Sequence, residues 1–509
     1  MKKYLSILLA VVLLLSCSVA MAEYDTRLTL QVTNRGQLSA GVDYTEDMFY
    51  EWMSEKWNVD IEPWITDSAT HKETCSMWIN TGDMPDILTM VDFDYGSYCE
   101  WVDQGLLAPL PDGWETTYPN LYKTMKQSMI LDYLTIDGKV YGLPGTTYCN
   151  YVPMEIPVGH TALYYRKDWA EKLGYTFGDS VTLKELQAFC LECIEKDMAG
   201  NGATIGLTTR TSTFIANALV MNLKSKNTGF VKTENGYVWA PCQEGYTDQI
   251  AFLRDFYTSG ALDADFYLLD GTGCINRFTS GVAAALFNDG GPGNMTEAFT
   301  GFEDANPDLD ADDCIGVTVL ANNDGEIWNE ECSNFWTIKY MNPNIKPEVQ
   351  ARILDMIEYF CTPEEGQIVL AKGIPEVDWK WTEDGLVDAT IRDPEKPGYQ
   401  ATKLVAIWGL CNDELYSIYS TNTQPGAVAE YQNNMAVKAA GNIVRKDYDF
   451  DYYQSEAKSV YSVDINAKVA GLVADSSLDI NTEWAKFISD NEGMWKPLED
   501  ELNATFFNK

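Results

Sequence analysis

The chain has 509 residues, with 76 acidic against 36 basic side chains and a net charge of -40. That length exceeds one compact core, so two or more lobes are expected, and the 46% hydrophobic fraction is that of a globular chain rather than a disordered one. So acidic a surface excludes nucleic acid and anionic lipid headgroups as general partners. It also disfavours polyanionic ligands, except at a local basic pocket.

The N-terminus reads as an export signal over residues 1–22. Lys2 and Lys3 precede a short apolar run, Tyr4 to Leu15, too short to span a bilayer. Two cuts are open. Leu14-Leu15-Ser16-Cys17 reads as a lipobox, which would leave Cys17 lipidated on the outer face of the cell membrane. Ala20-Met21-Ala22 before Glu23 reads as an A-x-A site, which would release a secreted or periplasmic protein. No later run of 18 apolar residues exists.

The predicted elements then follow in chain order. Thr26 to Thr33 alternates with period two, a half-buried strand. A helix carries Met48, Trp52, Met53 and Trp57 on one stripe, expected to be core. Val59 and Ile61 begin a second strand, a helix covers Thr70 to Asn80, and Asp86 to Met90 is a third strand. This is the βαβ pattern of an open parallel sheet, in which ligands meet the loops at the carboxyl ends of the strands. Asp137 to Pro144 is a turn running into a strand, and Thr161 to Arg166 is another strand, with a helix from Lys167. Thr182-Leu183-Lys184-Glu185 is a capping box opening the next helix. Cys190 and Cys193 have CxxC spacing but lie inside that helix, so core packing is expected of them rather than redox chemistry. Of the 12 cysteines, 11 remain once Cys17 is set aside, so at least one thiol is unpaired or pairs between molecules. Only His71 and His160 are present, and no zinc site is expected. Further on, Gly281 to Phe287 is an apolar strand before the Gly-rich loop Asn288 to Gly293. Ile315 to Leu320 and Asn334 to Ile338 are strands around an acidic loop. Lys346 to Cys361 is an amphipathic helix, and Thr362-Pro363-Glu364-Glu365 reads as the start of the next.

The stretches GDMPDIL, QGLLAPL, DGKVYGLP, ALYYRKDWAEKLGY and TPEEGQIVLAKG stand in the order seen in extracellular solute-binding proteins of ABC importers. The chain resembles the family 1 group, which includes oligosaccharide-binding lipoproteins, over nearly its whole mature length. The resemblance implies an α/β fold of the periplasmic-binding-protein-like class II type. Two α/β lobes with mainly parallel sheets would be joined by a multi-segment hinge and would close over ligand held in the cleft between them. Lobe 1 would hold residues 23–143 and 281–319. Lobe 2 would hold 161–280 and 334–509, its final helices packing on either lobe. The crossing segments would be 144–160 and 320–333, with a further crossing near Thr279. The implied function is that of a monomeric receptor that delivers a neutral oligosaccharide to the transmembrane subunits of an ABC permease, with no catalysis and no cofactor.

A sugar site needs aromatic rings to stack on pyranose faces and planar side chains to bond hydroxyls. By position in strand-end loops and crossing segments, the candidates are Asn34, Arg35, Asp92, Tyr148, Asn150, Tyr164, Asn288, Asp289, Trp336 and Trp408. His160, near the first crossing, is expected to pack rather than catalyse. Relatives often carry a calcium loop where this chain has Asp197-Met198-Ala199-Gly200-Asn201-Gly202. Asp197, Asn201 and Gly202 match it. Ala199 replaces an oxygen ligand and the later acids are missing, so only the turn is expected to survive. Two rivals stay open. A secreted glycoside hydrolase needs only two suitably spaced carboxylates, and a peptide receptor of the same fold needs ion pairs to the peptide's termini.

Overall fold

The computed structural model describes residues 24–35, 48–67, 70–146, 156–200, 202–362, 365–383, 387–388, 391 and 425–507. Ten strands build its two large sheets: β1 (Leu28–Arg35), β2 (Val59–Thr66), β3 (Ile87–Asp92), β4 (Leu143–Thr146), β5 (Thr161–Arg166), β6 (Ser180–Thr182), β7 (Ile205–Thr209), β8 (Ala283–Asp289), β9 (Ile315–Ala321) and β10 (Phe335–Met341). One sheet has the order β2-β1-β3-β10-β4, the other β6-β9-β5-β8-β7. Each sheet is the centre of its own compact unit. Among the described residues, 24–93, 99–145 and 336–391 form the first unit, and 94–98, 146–335 and 425–507 the second.

In the first unit, β1 runs parallel to β2 from Leu28 opposite Val59 to Arg35 opposite Thr66, and parallel to β3 with Val32 opposite Ile87. Parallel neighbours need a crossover, and the helices Met48–Trp57 and His71–Thr81 supply it. The first of these buries Phe49, Tyr50, Met53 and Trp57, whereas Met48, expected on the core stripe, is 42% exposed. β10 runs antiparallel to β3, with Met341 opposite Ile87, and β4 lies beyond it at the edge. The helix Pro347–Phe360 then packs into the same unit. Its Arg352 donates to the carbonyls of Trp57 and Asn58 and stacks 3.6 Å over the Tyr24 ring. The next helix begins at Gly366, later than expected, and the Thr362 hydroxyl accepts from the Gly366 amide at 2.9 Å.

The second sheet is mixed. β5 runs antiparallel to both neighbours, with Leu286 of β8 and Val317 of β9 opposite Tyr164, while β7 is parallel to β8 and β6 to β9. Four of its five strands share one direction, and β5 enters from the end at which the others leave. One face packs on the capping-box helix Leu183–Glu195 and on the C-terminal helices. Trp239 stacks on Trp495 at 5.2 Å and Tyr246 on Trp484 at 4.7 Å, and the Trp484 indole donates to the Pro241 carbonyl at 2.9 Å. Cys190 and Cys193 are both buried free thiols in this core, so their spacing serves packing. The other face packs on the helices Gly271–Thr279, Pro292–Ala305 and Pro425–Ala439.

These pairings differ from the lobe boundaries expected from the resemblance. Residues 281–319 do not return to the first unit, and there is no crossing near Thr279. β8 lies between β5 and β7, and β9 lies beside β5. Conversely, residues 336–391 belong to the first unit, because β10 pairs with β3. The last helices pack on the second unit through the tryptophan stacks just given.

β7 passes close to a neighbouring loop. The Leu207 amide donates to the Ala261 carbonyl at 2.7 Å, and a Cβ at Gly206 would stand 2.3 Å from that same oxygen. Backbone cannot swing aside as a side chain can. Gly206→Ala is therefore expected to cost about 1–3 kcal/mol, read as a lower urea midpoint at unchanged slope; an unchanged midpoint would contradict this packing.

Candidate functional site

Polar strand ends collect on one edge of each sheet. In the first unit, parallel β1, β2 and β3 finish together, and β10 starts beside them with Thr337 opposite Asp92. This gathers four of the sequence candidates. Asn34 and Arg35 close β1, Asp92 closes β3 with its side chain exposed, and Trp336 near the start of β10 is 52% exposed. Beneath them His71 is buried. Its Nε2 lies 3.0 Å from the Thr89 carbonyl, which can only accept, so Nε2 carries the proton. Nδ1 then accepts from the Thr66 hydroxyl at 2.6 Å. His71 is thereby a tie between the end of β2 and the middle of β3.

In the second unit the edge is formed by the end of β8, the start of β5 and the end of β7. Asp289 stands opposite Thr161, and Phe287 opposite Thr209. Arg210, immediately after β7, donates from Nη2 to Asp289 Oδ1 at 3.0 Å and from Nε to the Thr213 hydroxyl at 2.6 Å. Both members of the pair are partly open to solvent, so the guanidinium keeps further donors for a ligand. Next to them Asn288 is 3% exposed, and its Oδ1 has no hydrogen-bond partner among the described residues. An unmatched buried amide oxygen costs roughly 1–3 kcal/mol unless something meets it.

The backbone around these side chains is fixed. The Gly290 amide donates to the His160 carbonyl at 2.7 Å, and a Cβ on Gly290 would lie 2.5 Å from that of Ala162. Lys438, buried, reaches the carbonyl oxygens of Gly159 (2.5 Å) and Thr161 (3.0 Å) and the Thr161 hydroxyl (3.0 Å), pinning the start of β5. Burial lowers its pKa to about 8, opposed by Cys332 and Asp289. Burial also lowers the pKa of His160; Asp289 opposes the shift, and Lys438 and Arg210 add to it.

Tyr164, expected to face ligand, is 1% exposed. Its hydroxyl donates to the Asp289 carbonyl at 2.8 Å, so it props the site from below. Tyr148, Asn150, Trp408, Cys17 and Asn201 lie outside the described residues. Arg210 was missed at the sequence level. The signal was an arginine directly after a short apolar-threonine run, Ile205–Thr209, which the pattern reading passed over.

The calcium-type loop is closed from within. Asp197 Oδ1 accepts from the Thr204 hydroxyl at 2.8 Å and Oδ2 from the Gly202 amide at 2.9 Å; the same hydroxyl accepts from the Ala199 amide at 3.1 Å. Calcium needs six to eight oxygens. With both Asp197 oxygens engaged and no side-chain oxygen at Ala199, the donor set does not fit the ion.

Each of the two α/β units thus gathers polar residues at one edge of its sheet. Residues 55–376, more than half of the chain, match the family model of the bacterial extracellular solute-binding protein, and the chain belongs to that family. Membership makes it an exported protein. Among the described residues no helix is long and apolar enough to cross a membrane. No curated relative matches the chain in sequence. Among solved structures it is similar to the alginate-binding protein AlgQ2 without calcium ion (14% identity, 95% of this chain and 98% of that one, TM-score 0.68). It is also similar to the ABC-transporter substrate-binding protein FusA of Streptococcus pneumoniae in complex with kestose (16%, 94% and 100%, 0.65). A third is an ABC-transporter-associated solute-binding protein of Bifidobacterium longum infantis that binds HMO (15%, 94% and 96%, 0.58). At these identities the likeness is one of fold.

Two outcomes follow from the geometry. Calcium and chelator should leave the melting temperature unchanged, while Thr204→Val lowers stability by about 1.5–3 kcal/mol, the worth of bonds to a charged carboxylate; a calcium-dependent rise would reverse the reading. In a two-histidine chain, imidazole NMR should show His160 titrating below about 6.5. Because the folded pKa is depressed, the unfolded chain takes the proton first. Stability is therefore intact above that value and is lost as pH falls through the folded pKa. Asp289→Asn should move the midpoint further down.

Proposed function

We propose that the protein is a non-catalytic receptor for an oligosaccharide, which it hands to the transmembrane subunits of an ABC importer. Cys17 would be its lipid anchor, keeping it beside the permease. The observation that carries this reading is the buried Asn288 amide with its unmatched Oδ1, set beside the Arg210–Asp289 pair. Amide, guanidinium and carboxylate are planar groups whose directed hydrogen bonds suit the mixed donor and acceptor character of sugar hydroxyls. The exposed Trp336 at the edge of the first unit offers a ring for stacking. Relatives of the same fold support the class of cargo: FusA is in complex with kestose, and a Thermotoga maritima protein is bound to maltose. Asn34, Arg35, Asp92 and, outside the described residues, Tyr148, Asn150 and Trp408 complete the proposed set.

Calorimetry with the mature chain against a saccharide and short-peptide panel tests it. One saccharide class should bind without product appearing by chromatography. Asn288→Ala and Arg210→Ala should each weaken that binding about tenfold, close to one lost hydrogen bond, with the fold intact by circular dichroism. Product formation, or binding of peptides alone, would sink the proposal.

A further inference from the structure

A second concavity lies wholly within the second unit. It has a volume of about 600 Å³, within the range of small-molecule sites, and is walled by the hairpin around Phe230, by Trp328 and by the segment Ile443–Asp449. Its charge is the reverse of the protein's. The chain's composition, 36 bases and 76 acids in 509 residues, would place about one base and two acids among fourteen lining residues. The wall instead carries five bases, Lys224, Lys226, Lys232, Arg445 and Lys446, against Asp447 and Asp449.

Two features leave cationic capacity for a ligand. Lys226 has no ion-pair partner among the described residues. Lys224 is held by Glu326 (2.6 Å) and Asp324 (3.3 Å), and Lys232 by Asp449 (3.4 Å), in pairs that are exposed on both sides, whereas Arg445 is held by the buried Glu331 (2.7 Å) and Lys446 lies 3.6 Å from Asp451. Exposed pairs contribute about 0–1 kcal/mol, so a ligand carboxylate replaces such a partner at little cost. Trp328 and Tyr448 line the same wall.

We propose that this pocket binds the anionic group of an acidic sugar, a uronate or sulfate carried on the cargo, with a lysine cluster at the charge and an aromatic ring on the sugar face. The inference rests on the saccharide reading above and narrows it. The chain as a whole repels polyanions, and the pocket admits a single charged residue of an otherwise neutral oligosaccharide.

The test titrates the mature chain at low salt with sodium glucuronate, with glucose as its neutral counterpart of similar size, and with inorganic sulfate. Glucuronate should bind at least tenfold tighter than glucose and should weaken on adding sodium chloride. Lys226→Glu should abolish the preference, with Lys446→Gln as a second reading should the first variant not fold. Arg210→Ala should leave the preference intact while weakening oligosaccharide binding. Glucuronate bound no better than glucose overturns the pocket alone, provided an oligosaccharide still binds through Arg210. Sulfate bound as tightly as glucuronate overturns the sugar part of the inference, because the ring would then contribute nothing. A glucuronate preference in a protein that binds no oligosaccharide would uphold the pocket and sink the transport reading instead.

Discussion

The register of β8 between β5 and β7 governs the second unit. Placing Asp289 opposite Thr161 and Phe287 opposite Thr209 brings three chain segments, distant in sequence, to one edge: His160, Arg210 and Asn288–Asp289. A shift of one residue would turn Asn288 to the opposite face of the sheet and separate Asp289 from Arg210. The supports around the register act together. Tyr164 holds the Asp289 carbonyl, the His160 carbonyl holds the Gly290 amide, and Lys438 holds both Gly159 and Thr161. Most of this apparatus is buried, which is how a rigid frame can present a few exposed polar atoms at fixed angles.

The local elements were legible because their causes are local. Period-two alternation marked β1, and the Thr182–Glu185 capping box marked the helix behind it, where the reciprocal bonds form at 3.2 and 2.9 Å. The assignment of strands to units was not legible. β8 is a run of small and apolar residues, Ala283 to Phe287, buried on both faces, and such a run fits the centre of either sheet. Its partners, β5 and β7, are chosen by packing with residues far away in the chain. The same holds for β10, whose Trp336 and Tyr340 alternate as any strand would and whose pairing with β3 is a tertiary choice.

The site was half legible for a related reason. Asn288 and Asp289 close an evident strand, so position alone flagged them. Arg210 follows a strand of five residues that contains Gly206 and two threonines, too weak a pattern to notice. Its identity as a strand depends on its parallel pairing with β8, from Ile205 opposite Ala283 to Thr209 opposite Phe287. Tyr164 shows the opposite error. Its place on β5 was right, but strand position does not say which face a side chain takes, and its hydroxyl serves a backbone carbonyl.

The thiols of the helix Leu183–Glu195 carry a consequence of their own. Cys190 and Cys193 sit in a sealed apolar core with no covalent link between them, and burial pushes the Cys193 thiol up to about 12 and Cys190 well above its ordinary value. The thiolate is the reactive species, so in the closed fold these sulfurs are chemically silent despite lying in an exported protein. They gain reactivity only when the helix lifts from the sheet. The pace at which an alkylating reagent consumes these two thiols, followed on the peptide that carries them, is therefore a clock for local opening of the second unit, installed by the sequence at its centre.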